Sequence, residues 1–147
     1  MVKIAIINGP NLNLTGTREP HIYGTQGFDA WLSEIKQKYP EIKIEYFQSN
    51  IEGEIINAIQ QQGFDENCKG IVLNAGAYTH TSIAIADAVA AISKSVIAVH
   101  LSNPLSREPE RHTDLLLGKC QGVISGLGLM SYELAILYFI SKSPTSP

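Results

Sequence analysis

The sequence predicts a doubly wound α/β domain, in which a parallel five-stranded sheet carries helices on both faces. Short β-branched apolar runs alternate along the chain with segments whose apolar residues recur at helical spacing. The 147 residues are about the length of one ordinary domain. A composition of 44% hydrophobic and 17% charged residues is sufficient for a sizeable core.

The first strand is predicted at residues 2–7, a β-branched run that the turn Asn8-Gly9-Pro10 ends. A polar stretch rich in Asn, Gly and Thr follows to about residue 26, and a compact domain keeps such a long loop mainly for function. The first helix is predicted at residues 28–39, because apolar residues recur at i, i+3, i+4 and i+7 and Pro40 prevents its continuation.

The same alternation recurs through the rest of the chain. Strands are predicted at residues 42–47, 70–73, 96–100 and 122–125, and helices at 51–63, 82–92 and 130–139. We count five βα units, which imply right-handed crossovers and a flavodoxin-like sheet. One flavodoxin-like domain is predicted at residues 1–141, followed by a flexible tail at residues 142–147.

Composition argues against several kinds of partner and location. Eleven Lys and Arg residues against 14 Asp and Glu residues give a net charge of −3, so we expect no nucleic-acid partner. No apolar stretch reaches the ~18 residues of a membrane span, and we expect no membrane partner. The N-terminal apolar run is too short for a signal peptide, so a cytoplasmic protein is predicted. Cys68 and Cys120 stand apart from any CxxC pair, which argues against a disulfide framework or a zinc ribbon.

The basic residues are distributed unevenly between the two edges of the predicted sheet. Ligands of doubly wound sheets bind outside the carboxyl ends of the strands. All arginines and histidines fall in loops after strands or at a strand end, namely Arg18, Arg107, Arg111, His21, His80, His100 and His112. The lysines lie elsewhere, which disfavours a lysine Schiff base. Because the guanidinium fork suits carboxylate or phosphate, the predicted ligand is a small anion.

Each polar residue also has an ordinary structural interpretation. His100 can be a core histidine satisfied by backbone, and Asn50 and Asn74 can cap or turn the chain. Tyr23 can be a surface aromatic. Three of the histidines can bind zinc, so a metal site stays open at this point. The sequence has no GxSxG elbow and no dinucleotide-binding loop after the first strand.

Residues 8–24 read Asn-Gly-Pro-Asn-Leu-Asn-Leu-Thr-Gly-Thr-Arg-Glu-Pro-His-Ile-Tyr-Gly and resemble the type II 3-dehydroquinate dehydratases. The resemblance continues through residues 47–53, 73–88, 99–103, 107–108 and 111–112, and covers nearly everything but the tail. It implies a flavodoxin-like fold and a cofactor-free anti elimination that converts 3-dehydroquinate to 3-dehydroshikimate through an enolate. The reaction would serve the shikimate pathway, and so aromatic amino acid biosynthesis, or quinate degradation. The resemblance also implies a homododecamer, built as a tetramer of trimers.

The resemblance further implies roles for individual residues. Tyr23 would be the base that removes the proton beside the ketone, and Arg18 the cation that favours its phenolate. Asn11, through a water, would stabilise the enolate, and His100 would protonate the departing hydroxyl. The substrate-binding groups would be Asn74 with the backbone amides of Leu101 and Ser102 for the carboxylate, and His80, Asp87 and Arg111 for the ring hydroxyls.

Three positions depart from the family pattern. Ala98 stands where the family usually has a glutamate two residues before the catalytic histidine, Thr15 replaces a leucine, and Pro109-Glu110 replaces an acidic residue and phenylalanine. Two alternatives are a non-enzymatic module that binds a small carboxylate and a zinc hydrolase using His80, His100 and His112. Nine of the ten residues at 83–92 are apolar, so this helix is expected to pack on another subunit around Asp87, the exception.

Overall fold

The sheet and its helices follow the predicted order along the chain. The computed structural model describes residues 1–17, 21 and 27–142. The strands are β1 Val2–Asn8, β2 Ile42–Gln48, β3 Cys68–Asn74, β4 Val96–His100 and β5 Gly122–Ser125. The helices are α1 Phe28–Lys38, α2 Glu52–Gly63, α3 Ile83–Ala91 and α4 Met130–Ser141. All strand pairs are parallel in the order β2-β1-β3-β4-β5, which confirms the flavodoxin-like fold class.

The connection from β4 to β5 lies wholly within the described residues and contains no α-helix, which agrees with the predicted helices but not with the count of five βα units. In the part of the chain that the structure describes, four α-helices accompany the five strands, so the count of five βα units is wrong. Three short 3₁₀ helices occupy the connection, at Pro104–Ser106, Pro109–Arg111 and Leu117–Lys119. The two prolines lack an amide hydrogen and disfavour helical geometry in the residue before them, so no long ladder of helical hydrogen bonds forms here.

Helices cover both faces of the sheet and create two separate cores. Alternate side chains of β1 point to opposite faces. Ile4 and Ile6 pack with α1 and α4, whereas Ala5 and Ile7 pack with α2 and α3. Burial on both faces explains why the strand segments are almost continuously apolar in the sequence.

The described part of the chain ends at residue 142. Residues 143–147 of the predicted tail lie outside the described residues, and the division into a domain and a tail stays a prediction. No helix among the described residues is long and apolar enough to span a membrane.

Candidate active site

The carboxyl ends of β1, β3 and β4 open into one cleft. Seven of the predicted site residues line it: Asn11, Asn74, His80, His100, Leu101, Ser102 and Arg111. Arg107 lines it as well. Residues far apart in sequence therefore meet at the edge where the parallel-sheet argument predicts a ligand.

The loops that follow β1 and β3 are held against each other by two glycines. A side chain at Gly9 would lie 2.5 Å from the Ala75 carbonyl oxygen, and Gly76 has a φ of +60° close to Pro10. Both positions require glycine, because one has no room for a β-carbon and the other has left-handed geometry. This close approach places Asn11 and Asn74 on the same cleft.

Asn11 adopts a left-handed backbone, with a φ of 68°. Its backbone amide donates to the side-chain oxygen of Asn50 at 3.0 Å, and the side chain of Gln48 donates to the same oxygen at 3.2 Å. Asparagine tolerates this conformation better than most residues. Asn50 therefore holds the loop after β1 through a contact between distant segments, and Asn11 lines the cleft.

His100 ends β4 and is 8% exposed. Its Nε2 is buried and has no hydrogen-bond partner among the described residues. Burial lowers the pKa of His100; the Asp114 carboxylate partly opposes this shift, and the His80 ring adds to it. The ordinary structural interpretation, a core histidine whose ring nitrogens bond to backbone groups, is therefore not supported for Nε2 of His100.

His80 stacks beside His100, with ring centroids 6.5 Å apart and an interplanar angle of 17°. Its Nδ1 lies 2.6 Å from the Thr113 carbonyl oxygen. Because a carbonyl can only accept, Nδ1 carries the hydrogen and Nε2 of the neutral ring is left as an acceptor. His80 therefore brings to the cleft a ring nitrogen that can accept a hydrogen bond from a hydroxyl group.

Two cations stand at the mouth of the cleft. Arg111 donates through Nε to the Glu108 carboxylate, and this ion pair lowers the pKa of Glu108. Arg107 donates to the Ser102 hydroxyl at 3.5 Å. The cleft thus holds two guanidinium groups, and this cationic group suits an anionic ligand.

Asn74 is 3% exposed, and its orientation is determined by two contacts. Its Oδ1 accepts from the Gly76 amide at 3.1 Å, and its Nδ2 donates to the Tyr132 hydroxyl at 2.8 Å. Asn74 thus performs the turn role of its structural interpretation and also lines the cleft. Sequence reasoning missed Tyr132, because an aromatic residue in the apolar helix α4 has the appearance of an ordinary core residue.

Comparison with known proteins decides the family. The family model described as "Dehydroquinase class II" matches residues 2–140. The chain belongs to this family. It is 48% identical to a 3-dehydroquinate dehydratase of Fusobacterium nucleatum over 144 residues, which cover 95% of the chain and 97% of the relative. A 3-dehydroquinate dehydratase of Bacillus licheniformis is 48% identical, with 97% of the chain and 99% of the relative covered.

Solved structures agree with this membership. The type II dehydroquinase of Butyrivibrio crossotus has a TM-score of 0.90 at 45% identity and covers 95% of this chain and 98% of its own. The enzyme of Propionibacterium acnes has a TM-score of 0.91 at 35% identity, with 97% and 98% covered. The resemblance predicted from the sequence motifs is therefore confirmed at the level of family and fold.

Three of the residues predicted from the family resemblance are not brought into the cleft by the described chain. Arg18 and Tyr23 lie outside the described residues. Asp87 is exposed on α3 and does not line the cleft of its own chain. Its predicted place in a neighbouring subunit's site stays a prediction.

The β4 strand carries the departure from the family pattern at Ala98. This residue is 2% exposed and lies two positions before His100, so both side chains point to the same sheet face. Asp114 provides a carboxylate that acts on His100 from a different element. One Asp114 oxygen accepts from the amides of Leu116 and Leu117, each at 2.9 Å, which anchors this charge beside the cleft.

The histidines do not form a metal centre in the described part of the chain. No group of three or more His, Cys, Asp or Glu residues there is arranged to hold a metal ion. His112 uses its Nε2 for the Arg107 carbonyl oxygen at 2.9 Å, and it does not line the cleft. The three residues of the zinc-hydrolase alternative, His80, His100 and His112, are therefore not brought together.

Proposed function

We propose that this chain is a 3-dehydroquinate dehydratase that removes water from 3-dehydroquinate to give 3-dehydroshikimate without a cofactor. Its family membership over residues 2–140 supports an enzyme of the hydro-lyase class. The observation that carries the proposal is the cleft, which gathers two histidines, two arginines and two asparagines at the carboxyl edge of the sheet. A small polyhydroxylated carboxylate needs this mixture of cationic donors and neutral polar groups.

Two sets of groups in this cleft would bind the substrate. Asn74 and the amides of Leu101 and Ser102 would bind the carboxylate, because all three can donate to an anionic oxygen. His80 and Arg111 would position ring hydroxyls, His80 through its acceptor nitrogen and Arg111 through its remaining donors. The structural support is that all five line one cleft.

The elimination begins with the base. Tyr23 would remove the proton on the carbon beside the ketone, and the electrons of that bond would move into an enolate. A phenol with a pKa near ~10 is too weakly ionised at neutral pH, so Arg18 would favour the phenolate. Asn11, acting through a water, would stabilise the enolate oxygen.

The second step expels the hydroxyl from the opposite face of the ring. His100 would give it a proton, the carbon–oxygen bond would break, and the enolate electrons would form the new double bond, so that one water leaves. Burial favours neutral His100 in the free protein. A bound substrate carboxylate and Asp114 would both favour the protonated ring that this step requires.

We also propose that several copies assemble, with a dodecamer as the final state, in the cytoplasm and in the shikimate pathway or quinate degradation. The support for assembly is α3, where Ile83 is 67% exposed and Ala84, Asp87, Ala90 and Ala91 are also exposed. A helix with so much exposed apolar surface is typical of a subunit interface. Asp87 would then reach the site of the neighbouring subunit.

A direct assay tests the proposed reaction. We expect the purified chain to convert 3-dehydroquinate into a product with the ultraviolet absorbance of a conjugated enone. Tyr138→Phe is a suitable control, because Tyr138 lies on α4 and does not line the cleft. Tight binding of 3-dehydroquinate with no absorbance change would contradict the enzyme and favour the non-enzymatic carboxylate-binding module.

A further inference from the structure

A buried hydrogen-bond chain connects α4 to the ends of two neighbouring strands. The Tyr132 hydroxyl donates to Asn8 Oδ1 at 2.8 Å and accepts from Asn74 Nδ2 at 2.8 Å. Asn8 and Asn74 are register partners at the carboxyl ends of β1 and β3. Tyr132 and Asn8 are both 0% exposed, so water does not compete for these bonds.

Backbone chemistry determines the direction of this chain. The Gly76 amide can only donate, so the atom of Asn74 that it contacts must be the oxygen. Asn74 Nδ2 therefore faces Tyr132, whose single hydroxyl hydrogen is directed to Asn8 Oδ1. Nδ2 carries two hydrogens and Tyr132 uses one of them. The other is left as a donor on a residue that lines the cleft.

The Tyr132 hydroxyl has little freedom to move. Its ring packs edge-on against Phe28 with centroids 5.1 Å apart, and lies 5.5 Å from the Trp31 ring. Both neighbours belong to α1 and are buried. The aromatic cluster thus holds the oxygen at one point between the two strand ends, where rotation of the tyrosine would break both bonds.

We propose that Tyr132 is a positioning residue, which holds the Asn74 amide so that its free hydrogen points at the carboxylate of the substrate. The inference rests on the proposed function, because it assigns that carboxylate to Asn74. Without the Tyr132 hydroxyl, the Asn74 nitrogen loses its hydrogen-bond acceptor. The side-chain amide of Asn74 can then rotate about its terminal torsion. Ground-state binding of the carboxylate should weaken, while the proton-transfer groups stay in place.

A double-mutant cycle with Tyr132→Phe and Asn74→Ala tests this coupling. We expect Tyr132→Phe to raise KM for 3-dehydroquinate about tenfold while kcat changes less than about threefold. In the Asn74→Ala background the same change should leave KM unaltered, because the group through which it acts is gone. Tyr39→Phe is the matched control. It removes a hydroxyl that donates to Glu133 at 2.7 Å outside the cleft, and KM should stay at the wild-type value.

Two kinetic results would overturn the inference. One is an unchanged KM in Tyr132→Phe. The other is an equal rise in KM in the wild-type and Asn74→Ala backgrounds, which would indicate a general structural effect.

A second test uses nuclear magnetic resonance of the ¹⁵N-labelled wild-type protein. It remains valid if a variant does not fold or if the chain does not turn over 3-dehydroquinate. We expect a cross-peak between the Asn74 side-chain amide and the Tyr132 ring, and a shift of that amide when quinate, an unreactive carboxylate analogue, is added to saturation. Absence of either signal would contradict the positioning role. An inactive wild-type enzyme with both signals present would refute the proposed function alone.

Discussion

The chemistry of His100 depends on groups from several parts of the chain. Burial of the ring and the neighbouring His80 ring both lower the pKa of His100, whereas the Asp114 carboxylate raises it. Ala98 offers no charge on the same strand. At the scale of single residues, the tuning of the proposed acid thus depends on a side chain 14 positions later in the sequence.

Asp114→Asn should move the alkaline limb of the activity profile to lower pH. Loss of the negative charge lowers the pKa of His100 further, so the protonated form disappears at a lower pH as the solution becomes more basic. An asparagine oxygen can still accept from the Leu116 and Leu117 amides, so the backbone should be retained. The measurement is kcat/KM against pH.

Glu110→Gln provides the matched control for this profile. Glu110 is an exposed carboxylate in the same connection between β4 and β5, and it is not among the groups that act on His100. Its removal should leave the alkaline limb in place. Identical profiles for wild type and Asp114→Asn would show that Asp114 does not tune the acid.

Tyr23→Phe should reduce kcat by about 10²- to 10⁴-fold, the usual contribution of a positioned general base. Binding of quinate, measured by calorimetry, should be nearly retained because only the proton acceptor is lost. Arg18→Lys should also reduce kcat, since a lysine keeps the charge but loses the planar fork. Wild-type turnover in Tyr23→Phe would transfer the base role to another residue, with His80 or His100 first.

The residues of the cleft were predictable to different degrees for a physical reason. His80, His100 and Arg111 are recognisable because strand ends can be located from apolar runs, and polar groups after them share one edge. Tyr132 was not predictable. Its ring satisfies the apolar pattern of α4, and periodicity contains no information on where a hydroxyl finds its partners.

At the scale of elements, the strands and the four α-helices were predictable because burial on both faces leaves a strong apolar pattern. The connection after β4 was not. Its 3₁₀ turns are determined by Pro104 and Pro109 and by tertiary contacts such as the Leu115 amide on the Thr79 carbonyl oxygen, 2.9 Å apart. Such contacts join distant segments and have no local signature.

The packing of α4 on β3 gives a stability prediction. A β-carbon at Gly70 would lie 2.1 Å from the ring of Phe139, a buried residue that is 2% exposed, so the ring would have to shift. Gly70→Ala should therefore lower the free energy of unfolding by about 1–3 kcal/mol, the usual cost of overpacking a core. Urea denaturation followed by circular dichroism measures the change.

Gly53→Ala is the opposite case within the same chain. Gly53 lies in α2, and nothing approaches within 4 Å of the position of its added β-carbon. Alanine should raise the free energy of unfolding by about 0.4–1 kcal/mol, because it restricts the unfolded chain without strain in the helix. Equal effects of the two substitutions would refute the packing argument at Gly70.

At the scale of the whole molecule, α3 stands out because one of its sides is apolar and exposed. One side of α3 is buried in the core between the sheet, α2 and α3, through Ile85, Ala86, Ala88 and Val89. The opposite side of the helix carries exposed apolar surface around Asp87. The sequence predicts a helix that is buried on all sides, but among the described residues nothing covers its exposed side. Asp87 lies on this exposed side and does not line the described cleft of its own chain.

Subunit mixing tests whether Asp87 completes the site of a neighbour. Asp87→Ala and Tyr23→Phe subunits should each be nearly inactive alone, yet a mixture should regain activity after exchange. If each site takes its tyrosine from one chain and its aspartate from another, about a quarter of the sites in an equal random mixture contain both intact groups. Asn11→Ala mixed with His100→Ala is the control, because these residues line one cleft of one chain and no complete site can form. No recovery after verified exchange, or a fully active monomer on size-exclusion chromatography, would contradict the shared site.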